Sequence, residues 1–533
     1  MKKIIYNSLI LLQILFVTTG CFEDKSTLDT KKIDEVTIES SSIPNILRVG
    51  YLEEINLEVT VKSGSVENPP NFSYRWELNE TPESTQFIEI SNERTVTATI
   101  RNPIITSAYT LLFTARDEEH GLEYQKSWPL FVNSMFREGV VVASTHDGAT
   151  TDISLIMDNP LTSAYNKGEN IIHNIWQDIN GEPLQNLVKS ITYTLHKPSA
   201  LLAKNIVTVI TEDKEISFYD CEDYSLYKTG EEIFPGKSSS FNPQALYTIN
   251  SQYWALVESN KIYLFPNNQE MTAFILPVSG ENYVDNAIVI ADNSNGGGPF
   301  AFWLDSNTGK IQTVAMTFTT PATGGEYSGS GAFNPAGLIG RVAIAGDISM
   351  DGRSATLLCK NDEGNYELYG MSISYYDENY NSIPSVPKLK ADLPIELNPI
   401  IEEANSIFFN MNDPVMFIST NTKLYSVTFG GGIIGYQERY SAPAGETITG
   451  AKLFVQGRYR LNRDEFNTEY GPIYEPPLAL NTKAVVVATE GSQYEGNIYV
   501  ITQSNTSNGQ LNSASAKKYS GFGKILDFTF QGE

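Results

Sequence analysis

A nucleophile, a general base and a metal set each need a spacing, and this chain offers few. Its four histidines are His120, His146, His173 and His196. None stands in the His-Glu-x-x-His spacing that puts two imidazoles and a base on one helix face. Gly329-Ser330-Gly331 reads as a flexible turn and lacks the Gly-x-Ser-x-Gly order of a nucleophile elbow. Gly296-Gly297-Gly298 lacks the helix and lysine that a phosphate loop requires. Cys221 and Cys359 are far apart in strand-like segments, with no framework logic for a disulfide, so buried free thiols are expected. Carboxylates are abundant and a facing pair would suit glycoside chemistry, but no spacing says which two meet. Asp377 to Asn381 and Asn462 to Asn467 cluster oxygen ligands that suit a hard cation. Neither follows a calcium-loop pattern, and solvated loops are the expectation. No catalytic residue, no metal and no cofactor is therefore expected. The remaining candidates are aromatic. Tyr375, Tyr376, Tyr380, Tyr470 and Tyr474 stand in loop-like stretches rich in Asn and Gly. Exposed rings there would stack on sugars or grip peptide side chains, and the same rings would serve equally as core.

One further residue has chemistry of its own. Met1-Lys2-Lys3 is a basic head, Leu9 to Val17 is apolar, and Thr18-Thr19-Gly20 leads into Cys21. That order reads as a secretory signal over residues 1–20. The apolar run is well short of the roughly 20 residues that span a bilayer. A cysteine directly after a small residue resembles the bacterial lipobox, which implies a diacylated Cys21 as mature N-terminus. A plain signal peptide with an incidental cysteine is the alternative. Glu23 and Asp24 resemble the export signal that sends lipoproteins to the outer face of the outer membrane, and a charged linker is the alternative.

The formal charge of −26 argues against nucleic acid, whose phosphates need Lys and Arg. It argues equally against a basic patch docking on anionic lipid, and its simplest meaning is solubility on an exposed surface. Apolar residues make up 41% of the chain, enough for real cores, and 29 Tyr and 25 Phe favour strands. An all-β fold is expected. The one helical signal is a short helix over Leu184 to Ile191.

Residues 21–32 are polar and read as a tether. Alternating segments then follow over residues 33–134: Val36 to Ile38, Ile55 to Val61, Phe72 to Leu78, Phe87 to Ile90, Val96 to Ile100, Tyr109 to Asp117 and Trp128 to Val132. About seven short strands in about 100 residues predict a β-sandwich. Trp76 would fill its core, and Asp117 would cap the turn towards Gly121.

Residues 135–533 repeat a different unit, an apolar strand, a polar turn and a second strand often ending in Ile-Tyr. The hairpins are Val140 to Ile156, Ile206 to Tyr219, Tyr253 to Phe265, Phe300 to Ile311, Ala355 to Tyr369, Val415 to Val427 and Val485 to Ile501. Hairpins repeating every roughly 40–60 residues predict an array. Seven units of about four strands suit a β-propeller, because a blade with two apolar faces hides neither alone. Ile525 to Phe530 would complete the blade begun near Val140 and shut the ring. A second pair of sandwiches is the alternative.

The assembled pattern resembles the PKD-like family lipoproteins of Bacteroidetes. The resemblance rests on Cys21 with its acidic tail, Lys32 to Ile38, Phe72 to Leu78, Tyr109 to Gly121, and Gly139 to Gly148 with Ile153 to Ile156. It implies an N-terminal PKD/Ig-like β-sandwich before a C-terminal β-propeller of about seven blades. It also implies a lipid-anchored protein of the outer membrane facing the cell exterior. Its partners would be a SusC/SusD-type importer and other surface lipoproteins, and its ligand a glycan or peptide. No catalytic residue carries over. A propeller-based polysaccharide hydrolase or lyase, and an adhesion or scaffold protein, remain the alternatives.

Overall fold

The computed structural model describes residues 34–532 except 42, 52, 106, 135, 137, 163–167, 200–201, 235–240, 250–252, 267–276, 279–282, 286, 291–298, 316–323, 350–351, 378, 380 and 458–477. Strands dominate, and the chain divides into two compact units between Met135 and Phe136.

The first unit is a two-layer sandwich. One sheet orders Leu47–Gly50, Leu122–Asn133, Tyr109–Asp117, Phe72–Asn79 and Phe87–Ser91 across its width. The facing layer pairs Val36–Glu39 with Thr60–Ser63, and Glu54–Glu58 with Thr95–Thr99. The segment expected as one strand from Ile55 to Val61 thus breaks at Val59, where the chain changes partner. Ile55, Val61 and Val96 from this layer meet Trp76, Leu111 and Phe113 from the other in one core. Trp76 is fully buried, with its ring 4.8 Å from Phe113 and 5.6 Å from Trp128. Its indole N–H donates to the Arg94 carbonyl at 3.3 Å, so the polar end is satisfied as well.

Asp117 does close the turn. It accepts from the Glu119 amide at 2.9 Å and from His120 Nδ1 at 2.7 Å, and Gly121 follows with φ of +69°. The His120 bond holds the Asp117 carboxyl below its usual range. At the other end of that strand, the buried Tyr109 hydroxyl donates to the Pro103 carbonyl at 2.9 Å. Tyr109→Phe is expected to cost about 1 kcal/mol. Urea unfolding should show this as a lower midpoint at unchanged slope.

The second unit is a β-propeller; among the described residues its strands form seven blade-like antiparallel sheets and one small two-stranded hairpin. Blade 1 runs from the C-terminal strand Lys524–Gln531 outward through Gly139–Thr145, Asp152–Met157 and Asn170–Ile172. Blade 2 follows with Val188–Ser199, Leu202–Thr211, Ile216–Asp220 and Leu226–Thr229. Blade 3 has Pro243–Ile249, Tyr253–Glu258 and Lys261–Pro266, and blade 4 has Val289–Ile290, Pro299–Asp305, Lys310–Ala315 and Gly324–Glu326. Blade 5 has Arg341–Ile348, Ser354–Asn361, Tyr366–Ser372 and Val386–Asp392. Blade 6 has Ser406–Asn410, Val415–Ser419, Lys423–Thr428 and Gly435–Ser441. Blade 7 has Thr447–Leu453, Ala484–Glu490 and Gly496–Asn505, with Lys517–Phe522 outside. The first strand of each blade touches the first strand of the next, and Thr447–Leu453 touches Lys524–Gln531, so the ring closes.

Burial explains the sequence pattern. Side chains alternate across a strand, and here both faces are covered. Val140 and Val142 enter the core between blades 7 and 1, while Val141 and Ala143 enter the core between blades 1 and 2. Val415 and Phe417 face blade 7, and Met416 and Ile418 face blade 5. Further cores lie between blades 2 and 3, 3 and 4, and 4 and 5. Each middle strand therefore reads as a continuous apolar run.

The helix expected over Leu184 to Ile191 is not there. Val188–Ser199 is the innermost strand of blade 2, and the nearby helical turn is Ile175–Asn180. Val188, Ile191, Thr192 and Thr194 are β-branched and fit a pleat better than a helix. Neighbouring strands supply the rest. The Ile191 amide donates to Asp527 Oδ2 at 3.0 Å and the Tyr193 amide to Thr529 Oγ1 at 3.1 Å.

Candidate functional site

Strand direction fixes what meets at each end of the ring. In blade 5 the connection from first to second strand (349–353) and from third to fourth (373–385) leave at one end. The latter carries Tyr375 and Tyr376 on a small hairpin paired with Ser382 and Ile383. Tyr375 is half-buried beneath Arg353, whose guanidinium carbon lies 4.5 Å from the ring centroid. The hairpin is pinned at its base by the Ile373 amide to the Arg353 carbonyl (3.0 Å) and the Ser374 amide to Ser385 Oγ (3.1 Å). Tyr376 is placed by its backbone alone, and Tyr380, Tyr470 and Tyr474 lie outside the described residues, as does Cys21. The strands that flank the segment holding Tyr470 and Tyr474, Thr447–Leu453 and Ala484–Glu490, respectively end and begin at this same end of the ring. The base of that segment is closed by buried amides. Gln456 N donates to Asn481 Oδ1 at 2.8 Å, and Leu478 N to Gln456 Oε1 at 2.7 Å.

The same end holds a cleft of about 550 Å³ between blades 5 and 6. That lies within the roughly 300–1,000 Å³ of small-ligand sites. Its floor is apolar, built from Met371, Leu389, Phe409, Met411 and Phe429. Phe409 and Phe429 are nearly buried and meet edge to face, with centroids 6.2 Å apart at 80°. Asn410 and Asn412 lie along one wall with their amide groups already engaged by blade 7. Asn410 Nδ2 donates to Gln503 Oε1 and the Thr506 carbonyl, both at 3.0 Å. Asn412 Nδ2 donates to the Thr482 carbonyl and hydroxyl, again at 3.0 Å. Lys388 from blade 5 and Asp413 from blade 6 stand at the rim. Gly430 and Gly431 complete the wall, and Gly431 has φ of +63° with open space where a Cβ would project.

Sequence reasoning missed this cleft. Its residues come from two blades and carry no local motif. The weak signals were the turn Asn410-Met411-Asn412-Asp413-Pro414 and the run Gly430-Gly431-Gly432.

The other chemistry-bearing groups have structural partners. Cys221 and Cys359 are buried and unpaired, and burial pushes both thiols up, away from nucleophilic thiolate. Asp377 closes its own loop, accepting from the amides of Asn379 (2.9 Å) and Asn381 (2.8 Å). The cation candidate at Asn462 to Asn467 lies outside the described residues. His173 packs on the Phe522 ring and meets Ser154 Oγ at 3.1 Å. Gly331 packs so tightly on the Pro387 carbonyl that a Cβ would lie 2.1 Å from it, which makes the Gly329-Ser330-Gly331 run a packing device. At the opposite end of blade 5, Glu367 is buried against Arg341 (2.9 Å), Asn361 (3.3 Å) and Lys390 (3.5 Å). Burial alone would raise its carboxyl, but the bonds from Arg341, Tyr369 and Asn361 outweigh that and hold it at about 2.

Residues 21–187 match the PKD-like family. The matched stretch covers the sandwich and the three strands that blade 1 draws from its own part of the chain, and it stops one residue before blade 2 begins at Val188. No curated protein matches the chain. Among solved structures, the quinonprotein alcohol dehydrogenase-like protein of Bacteroides thetaiotaomicron is similar at 12% identity and a TM-score of 0.37, over 93% of this chain and 98% of that one. The β-propeller domain of Myceliophteria thermophila Cps50 (Swd1) is similar at 10% identity and 0.32, over 63% and 91%. YCF48 from Cyanidioschyzon merolae is similar at 10% identity and 0.31, over 66% and 92%.

Proposed function

We propose that this protein is a non-enzymatic surface lipoprotein that captures a glycan or peptide for a SusC/SusD-type importer in the outer membrane. What supports the reading is that the family match starts at Cys21 itself, the residue whose surroundings resemble a lipobox. Each buried acyl CH₂ contributes about 0.8 kcal/mol, so two or three chains hold the protein on a bilayer durably. Among the described residues no helix is long and apolar enough to cross a membrane. The cleft between blades 5 and 6 supplies a place for ligand beside the Tyr375 hairpin. A tethered binder raises ligand concentration near the pore without needing tight affinity.

Cys21→Ala is expected to move the protein from the membrane pellet to the soluble fraction in cell fractionation. Surface proteolysis of intact cells should digest the wild type. Detergent pull-down through a C-terminal tag should recover the importer pair. A Cys21→Ala protein that stays in the pellet, or a pull-down without importer, would defeat the reading.

A further inference from the structure

We propose that the cleft between blades 5 and 6 binds an extended peptide, seating one apolar side chain on its floor between a basic and an acidic rim. This rests on the capture role above and selects the ligand class within it.

The floor discriminates first. A sugar is recognised by a ring lying flat against its apolar face and by convergent hydrogen bonds to its hydroxyls. Phe409 and Phe429 offer neither arrangement, since they are nearly buried and packed edge to face against each other. The amide N–H donors best placed to read hydroxyls, on Asn410 and Asn412, are spent on Gln503, Thr506 and Thr482. What the floor does present is Met371, Met411 and Leu389. Thioether side chains adapt to varied apolar shapes, which suits Leu, Met or Phe from a peptide.

The rim discriminates next. Lys388 is exposed and lines the cleft on the blade 5 side. Asp413, on the facing blade, has no basic partner among the described residues. Opposite charges on blade 5 (Lys388) and blade 6 (Asp413), neither in an ion pair among the described residues, complement a chain that carries both charges. Such a chain is a peptide with Glu or Asp on one side of the apolar residue and Lys or Arg on the other. Gly431 leaves part of the wall without a side chain and with open space before it, room for a peptide main chain. Beside them Ile433 is 79% exposed, an apolar contact for a flanking residue.

The test uses the purified mature protein and an array of fluorescein-labelled, capped heptapeptides. Their central residue is Leu, Met, Phe, Ser or Asp, with every combination of Glu and Lys on either side. Fluorescence polarisation is expected to show binding for an apolar centre with one Glu and one Lys flank. Replacing the centre by Ser should weaken it at least tenfold. Lys388→Glu should weaken the best peptide at least fivefold and prefer a peptide whose acidic flank is changed to Lys. A panel of hexaoses of glucose, xylose and mannose, measured by calorimetry, should give no heat. If no array member binds, or Lys388→Glu leaves the preference unchanged, the proposal is overturned. If a hexaose binds and Lys388→Glu abolishes it, the cleft is a sugar site, and capture survives while the peptide does not. Loss of the importer in pull-down would instead remove the capture role itself.

Discussion

Deleting residues 524–533 is expected to leave the propeller unfolded while the sandwich stays folded. The C-terminal strand is the innermost strand of blade 1, paired with Gly139–Thr145 along its length. Ile525, Phe528 and Phe530 sit in the core between blades 7 and 1 beside Val140, Val486 and Ile498. Lys452 bonds both Asp527 Oδ1 and the Phe528 carbonyl at 2.6 Å, and Tyr224 bonds Gln531 Oε1 at the same distance. Losing a large buried side chain costs roughly 2–5 kcal/mol. Three at once match the whole stability of an ordinary domain, about 5–15 kcal/mol. The ring also opens, and two blades then expose apolar faces. The sandwich has a core of its own. Limited proteolysis should therefore leave a resistant fragment near residues 34–134, and near-ultraviolet dichroism should lose the bands of Trp176, Trp254 and Trp303. A deletion variant that keeps those bands would mean that the ring does not depend on its clasp.

That clasp was legible in the chain. Ile525 to Phe530 is a strand left over from the seven hairpins, and Val140 to Ala143 is the apolar run that opens the first of them. The seven hairpins were legible for the same reason. A strand covered on both faces has no polar alternation, and runs such as Val140-Val141-Val142-Ala143 stand out against turns. Leu47–Gly50 was not legible, because it is short, contains Arg48, and is defined by a parallel pairing with Leu130–Asn133 far along the chain. Leu184 to Ile191 misled for a related reason. Its local pattern is ambiguous, and contacts from Asp527 and Thr529 decide it. Of the candidate aromatics, Tyr375 is placed at the cleft's end of the ring, but its half-burial beneath Arg353 is a tertiary fact. The cleft is tertiary throughout, since no window of sequence contains both Met371 and Phe429.

The buried cluster around Glu367 was equally hidden, and it carries the second large effect. Glu367→Gln is expected to destabilise the propeller by roughly 3 kcal/mol at neutral pH, with the difference shrinking as the solution is acidified. In the folded chain the carboxyl is held at about 2, against an ordinary value of 4.5. A folded-state value below the unfolded one adds stability that is complete above about 4.5. That stability fades as pH falls through the folded-state value near 2. The depression is worth roughly 3 kcal/mol. Removing one partner of a buried pair leaves the other charge uncompensated, at about 3–5 kcal/mol. Arg341 keeps some contact with water, its side chain being 27% exposed, which favours the lower figure. The amide keeps the shape of the carboxylate, so packing against Tyr369 and Asn361 should survive and the loss should be electrostatic. Urea midpoints of wild type and variant, followed by propeller tryptophan fluorescence, should lie far apart at pH 7 and pH 5 and converge towards pH 3. A gap that stays constant over that range would assign the loss to packing and remove the ion cluster as its cause.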